Sequence, residues 1–152
     1  MSEASKTGRP VRPNLAVMNL RPTILELVVA DMAATLAFYR LLGLSIPAEA
    51  DDAPHVETML GGIKLAFDTR ETIRSFDPDW TPASGGHRVA LGFECDTPAE
   101  VDQAWQEITG AGYQGRLEPW DAFWGMRYAV VQDPDGTPID LFARLPEAAT
   151  AP

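Results

Sequence analysis

The sequence predicts an α+β fold: two βαβββ modules forming a curved mixed sheet around a cleft, with the helices on the outer face. Three observations carry this. A strand leading into a capped helix occurs at Leu27-Val28-Val29-Ala30-Asp31 and again at Val89-Ala90-Leu91-Gly92-Phe93 before Thr97-Pro98-Ala99-Glu100. Short alternating runs follow each helix, as half-buried strands do. The last two runs, within 127–142, are joined by Asp133-Pro134-Asp135-Gly136. In that turn Pro134 presets φ, Asp133 can accept backbone N–H bonds and Gly136 can take positive φ. The same order of elements twice in 152 residues is an internal repeat built on one shared core.

The elements follow in order. Residues 1–20 are polar and aperiodic and read as an N-terminal arm. Residues 21–76 make the first module, 77–86 a linker, 87–145 the second module and 146–152 a C-terminal tail. The first strand is 23–29, with Leu25, Leu27 and Val29 on one face and Ile24, Glu26 and Val28 on the other. Asp31 can cap a helix that runs to about Leu42, with Met32, Leu36 and Tyr39 at helical spacing and Gly43 closing it. A short extended piece at 44–47 and an acidic loop at 49–54 come next. Strands at 56–60 and 63–68 flank the tight turn Gly61-Gly62. One or two helical turns follow at 70–76. The linker holds Pro78, Pro82, Gly85 and Gly86, and its Trp80 needs something to pack on.

The pattern then restarts. Val89, Leu91 and Phe93 alternate with Arg88, Ala90 and Gly92. Thr97 caps a helix with Pro98 at its first position and Glu100 closing a capping box. Val101, Ala104, Trp105 and Ile108 form its buried stripe, and Gly110 and Gly112 end it. A short strand at 113–117, an aromatic loop at 119–126 and the hairpin complete the module. Each helix must cover the more apolar side of its strands, the side of Leu25, Leu65, Leu91 and Leu141. The other side carries Ile24, Glu26, Val28, Lys64, Ala66, Asp68, Arg88, Ala90, Asp140 and Phe142, and it lines the cleft.

Apolar content of 45% and charged content of 22% are those of a globular domain. The net charge of −10 opposes binding to nucleic acid and mildly favours cationic ligands. No apolar run reaches the length of a membrane span. The first 13 residues hold Lys6, Arg9 and Arg12 without an apolar stretch, so they do not read as a secretory signal. The single cysteine, Cys95, excludes an internal disulfide and fits the cytoplasm.

Three stretches resemble the vicinal oxygen chelate superfamily, which includes glyoxalase I, extradiol dioxygenases, fosfomycin-resistance enzymes and bleomycin-resistance proteins. They are Leu27 to Asp31 continuing through Phe38-Tyr39-Arg40-Leu41-Leu42-Gly43-Leu44; Val89 to Phe93 with its helix; and Asp133-Pro134-Asp135-Gly136 through Ile139-Asp140-Leu141-Phe142. Metal-dependent members place one His, Gln or Glu on the cleft face of each of four strands. The matching positions here are Ile24, a position near Lys64, Arg88 and Asp140. Ile24 cannot ligate, Lys64 and Arg88 repel a cation, and only Asp140 has ligand character. The resemblance therefore implies a metal-free protein of the bleomycin-resistance type, with no cofactor, that binds and sequesters a drug-like molecule. The alternative is a divergent lyase, isomerase or dioxygenase. It would use His87, Asp140 and Glu26, with a bulge at Gly85-Gly86 turning His87 inward. His55, beside the acidic loop, reads as a surface residue.

The expected ligand is small and partly aromatic, with cationic character favoured by the acidic chain. Its expected contacts are Glu26, Lys64, Arg88, Trp120, Asp121, Phe123, Trp124, Asp140 and Phe142. The aromatic loop reads as a plug over the cleft, a dimer contact or a stacking platform for a planar or cationic ligand. The charged residues have a second reading, in which Lys64 with Asp140 and Glu26 with Arg88 form ion pairs across the modules. A homodimer is expected as well. It would cover the edge strands and bury Trp80, Phe123 and the apolar residues of the arm, Val11, Leu15, Val17, Met18 and Leu20.

Overall fold

The computed structural model describes residues 18–147. Most of the expected arm, including Val11, Leu15 and Val17, and most of the expected tail lie outside the described residues. Strand β1 (Ile24–Val29) leads to helix α1 (Met32–Leu41), a 3-10 turn at Ala48–Asp52, strands β2 (His55–Leu60) and β3 (Ile63–Thr69), and helix α2 (Arg70–Phe76). The second half is β4 (Leu91–Glu94), α3 (Pro98–Gly110), β5 (Gly115–Ala122), β6 (Met126–Gln132) and β7 (Pro138–Arg144). The class is α+β with two mixed sheets: three strands in the order β1-β3-β2, and four in the order β4-β7-β6-β5. In each sheet the first strand of the half runs parallel to the last, and the others are antiparallel.

The caps are the ones the sequence specifies. Asp31 accepts from the amide of Ala34, and Thr97 and Glu100 close a full capping box at α3. Such caps stabilise by about 1 kcal/mol each. The apolar faces meet in one core containing Leu36, Leu65, Phe67, Val101, Ile108, Val131 and Ile139. Helix α1 ties the halves together. Its Tyr39 ring lies 5.0 Å from Phe67 in the first half, and its Phe38 ring lies 4.8 Å from Tyr113 in the second. Truncating a fully buried residue such as Leu36 is expected to cost about 2–5 kcal/mol. At Gly115 a Cβ would come within 2.3 Å of the Trp105 ring, so the glycine lets α3 settle on β5.

Three expectations are corrected. The piece at 44–47 pairs with no strand, so the first half has two strands after its helix rather than three. Its carbonyls are taken by side chains instead: Arg40 donates to Ile46 O and Pro47 O, and the Thr58 hydroxyl to Ser45 O. The strand expected from Arg88 starts only at Leu91. Leu91 pairs with Ile139, and β7 begins one residue earlier, so Arg88 and Val89 have no ladder to join. Finally, β5 extends to Ala122, which leaves only Phe123, Trp124 and Gly125 to turn into β6. The expected aromatic loop is mostly strand.

Candidate ligand-binding site

Strand alternation sorts the side chains of the four-stranded sheet. Asp140 pairs with Val130, and Phe142 with Tyr128, on the face turned away from α3. Trp120 on β5 is opposite Tyr128 and joins that face. Asp121, one residue on, points to the other side. Its carboxylate accepts from Arg127, which also forks onto Asp102 of α3. Asp121, expected in a loop, lies in β5 and is engaged by Arg127.

The face that results is aromatic around one carboxylate. Tyr128 stacks on Phe142 with ring centres 6.1 Å apart. Trp120 and Trp124 meet Tyr128 edge-on at 5.4 and 5.3 Å. Phe123 extends the cluster at the turn and is 97% exposed. The Tyr128 hydroxyl donates to Asp140 Oδ2 at 2.5 Å. Burial, reinforced by Asp140, pushes the Tyr128 pKa up to about 12, so it stays a donor. Among the described residues no donor reaches Asp140 Oδ1. Gly92 lies opposite Asp140 on β4, and a Cβ there would come within 3.2 Å of the Phe142 ring. That glycine keeps the ring flat against the strand. Aromatic faces around a half-buried, incompletely bonded carboxylate suit a planar or cationic organic molecule.

The corresponding face of the three-stranded sheet is built from charge. Lys64 pairs with Glu57 at 2.9 Å. Glu57 also contacts His55 Nε2 at 3.1 Å, and His55 Nδ1 lies 2.6 Å from Asp68, a nearly buried carboxylate. Hydrogen bonds to Asp68 and then Glu57 raise the His55 pKa. The proposed cross-module ion pairs do not form: Lys64 is held by Glu57 within its own sheet, and Asp140 by Tyr128 within the other. Arg88, outside any strand, is exposed.

Glu26 and His87 line a separate cavity with Asp135 and Arg70. The set His87, Asp140 and Glu26 is therefore not gathered at one place in the chain. Among the described residues no three His, Cys, Asp or Glu side chains are grouped so as to hold a metal ion. No helix there is long and apolar enough to cross a membrane. Sequence reasoning missed Tyr128 and the His55–Asp68 pair. The signal for Tyr128 was available, since the short hairpin turn fixes the register that sets it beside Asp140. His55 and Asp68 are likewise opposite each other across the Gly61-Gly62 turn.

Comparison with known proteins agrees with this architecture. Residues 21–141 match the model of the Glyoxalase/Bleomycin resistance protein/Dioxygenase superfamily. A glyoxalase/bleomycin resistance protein/dioxygenase from Nocardioides is 26% identical, with a TM-score of 0.66 over 90% of this chain and 93% of that one. A family enzyme from Burkholderia phytofirmans is 19% identical (TM-score 0.71, 81% and 98% covered). A glyoxalase-related enzyme from Fulvimarina pelagi is also 19% identical (TM-score 0.69, 87% and 95% covered). These last two speak to the fold alone. No curated protein matches the chain.

Proposed function

The chain belongs to the Glyoxalase/Bleomycin resistance protein/Dioxygenase superfamily, and on that premise we propose that it is a metal-free cytoplasmic protein that binds and sequesters a small, partly aromatic, cationic molecule. The observation that carries this reading is the aromatic face around Asp140. Trp120, Trp124 and Phe142 supply stacking surface, Tyr128 fixes one carboxylate oxygen, and the other is left for an ammonium or N–H group. Phe123 sits at the rim. Drug sequestration, and with it antibiotic resistance, is the role this chemistry fits. Intrinsic tryptophan fluorescence against glycopeptide, quinone and aromatic amine compounds tests it. Saturable quenching that disappears in Trp120→Ala is expected; no quenching by any compound overturns it. The enzyme alternative predicts near-stoichiometric metal in the purified protein, lost in Asp140→Ala, and elemental analysis decides between them.

The same reading includes a homodimer. Leu117 on one sheet with Phe123 and Trp124 in its β5–β6 turn, and Ile24 and Met59 on the other sheet, are large, exposed apolar groups. Leaving such surface in water costs about 25 cal/mol per Å². A second copy laid over these faces would bury it and close a cleft over the aromatic cluster. Light scattering should give a dimer mass, and a monomer mass contradicts the proposal. A chain beginning at Arg21 tests whether the arm takes part.

A further inference from the structure

Trp80, within the linker 77–86, is held by local contacts. The Arg74 guanidinium lies over the Trp80 ring at 5.4 Å, and the Trp80 amide donates to Asp77 O at 3.1 Å. So held, the segment walls a cavity of about 360 Å³ against β1, the start of α2 and the β6–β7 turn. That volume is within the range of small-molecule sites. The cavity is apart from the aromatic face and shares no residue with it.

Its charges are arranged unusually. Arg70 is half-buried at the wall and, among the described residues, forms no ion pair and no side-chain hydrogen bond. It attracts Asp135 without reaching ion-pair distance. Asp133 is already saturated by Tyr39 and the amides of the turn. Asp135 has one oxygen on the Ala30 amide. Burial, reinforced by the Asp133 charge, pushes its pKa up, and the Ala30 bond, Arg70 and the Thr35 hydroxyl only partly counter the shift. Glu26, exposed on the edge strand β1, lines the same space and has no hydrogen-bond or ion-pair partner among the described residues. A simple anion here would meet Glu26 and Asp135, and a simple cation would meet Arg70. A molecule carrying both charges satisfies all three. Trp80, Pro82 and Ala83 supply apolar wall for the remainder.

We propose that this cavity is a second binding site, for a small zwitterion of the α-amino-acid type, with Arg70 taking the carboxylate and Asp135 with Glu26 taking the ammonium. Guanidinium binds carboxylate through two parallel N–H bonds, which gives the site its polarity of binding.

Isothermal titration of the full chain tests it with three probes of one shape. L-leucine carries both charges, 3-methylbutylamine lacks the carboxylate, and 4-methylpentanoate lacks the ammonium. L-leucine should bind at one site per chain, with each single-charge analogue at least tenfold weaker. Arg70→Ala should weaken L-leucine at least tenfold, and Glu26→Gln several-fold. No heat with L-leucine, equal binding of all three probes, or unchanged binding in both variants overturns the proposal. The comparison among probes uses the unaltered chain, so it stands even if Arg70→Ala fails to fold. None of these outcomes touches the aromatic face.

Discussion

Two tyrosine–aspartate pairs in this protein have the same chemistry and different surroundings. Tyr39 donates to Asp133 Oδ2 at 2.8 Å, and the other Asp133 oxygen accepts the amides of Asp135 and Thr137. Tyr39 is fully buried, and burial with the Asp133 and Asp135 charges pushes its hydroxyl far above the ordinary phenol range. Tyr128 donates to Asp140 in the same way, but among the described residues no donor reaches the second Asp140 oxygen, and the pair opens onto exposed rings. A saturated, buried pair holds two elements together. An unsaturated pair at the surface has a valence to offer a ligand. Tyr39–Asp133 is a clamp between α1 and the turn, and Tyr128–Asp140 is the floor of the proposed site.

The sharpest way to break this contrast is to delete both hydroxyls. Tyr39→Phe leaves a buried carboxylate short of a donor, and denaturant unfolding should show a loss of about 1.5–3 kcal/mol. An unchanged midpoint would remove the clamp. Trp120→Ala acts on binding instead. Losing a stacked indole should weaken an aromatic amine at least tenfold, or about 1.4 kcal/mol, measured by calorimetry, while Glu57→Ala on the charged sheet should not change affinity. Tyr128→Phe should cost about 1 kcal/mol of stability or less, because water can replace the donor. It should also shift the ligand's affinity, which Tyr39→Phe should not.

The smallest effect is on the charged sheet. The folded pKa of His55 lies above its unfolded value because Asp68 and Glu57 accept from the ring. Its contribution to stability is therefore fully present below the unfolded value of about 6.5 and is lost as pH rises through the raised folded value. Thermal melts of the wild type and His55→Ala should converge as pH climbs above that range. A gap that widens with pH would reverse the sign and discard the pairing.

Much of this was readable from the sequence. The caps Asp31 and Thr97, the stripe of α3 and the Asp133–Gly136 turn are local signals, and each appears where its residues require it. The face of Asp140 followed from alternation with Ile139 and Leu141. The misreadings came from partners remote in sequence. Arg88 alternates as a strand residue should, but strand formation needs a neighbour, and β7 does not reach it. Leu44 to Pro47 is extended in composition, but Arg40 and Thr58 occupy its carbonyls. Trp120 and Asp121 read as one loop because Pro119 and Gly125 bracket them. Pairing with Tyr128 and Arg127 turns the two to opposite faces, which separates the aromatic cluster from the helix contact.

The proposed ligand binds on the aromatic face around Asp140. Chemical-shift mapping of the labelled chain during titration with an aromatic amine tests it most directly. Saturable shifts are expected at the Trp120 and Trp124 indole N–H groups and at Tyr128, Asp140 and Phe142, with His55, Glu57 and Lys64 unmoved. Shifts confined to the charged sheet, or no shifts on either face, would contradict it.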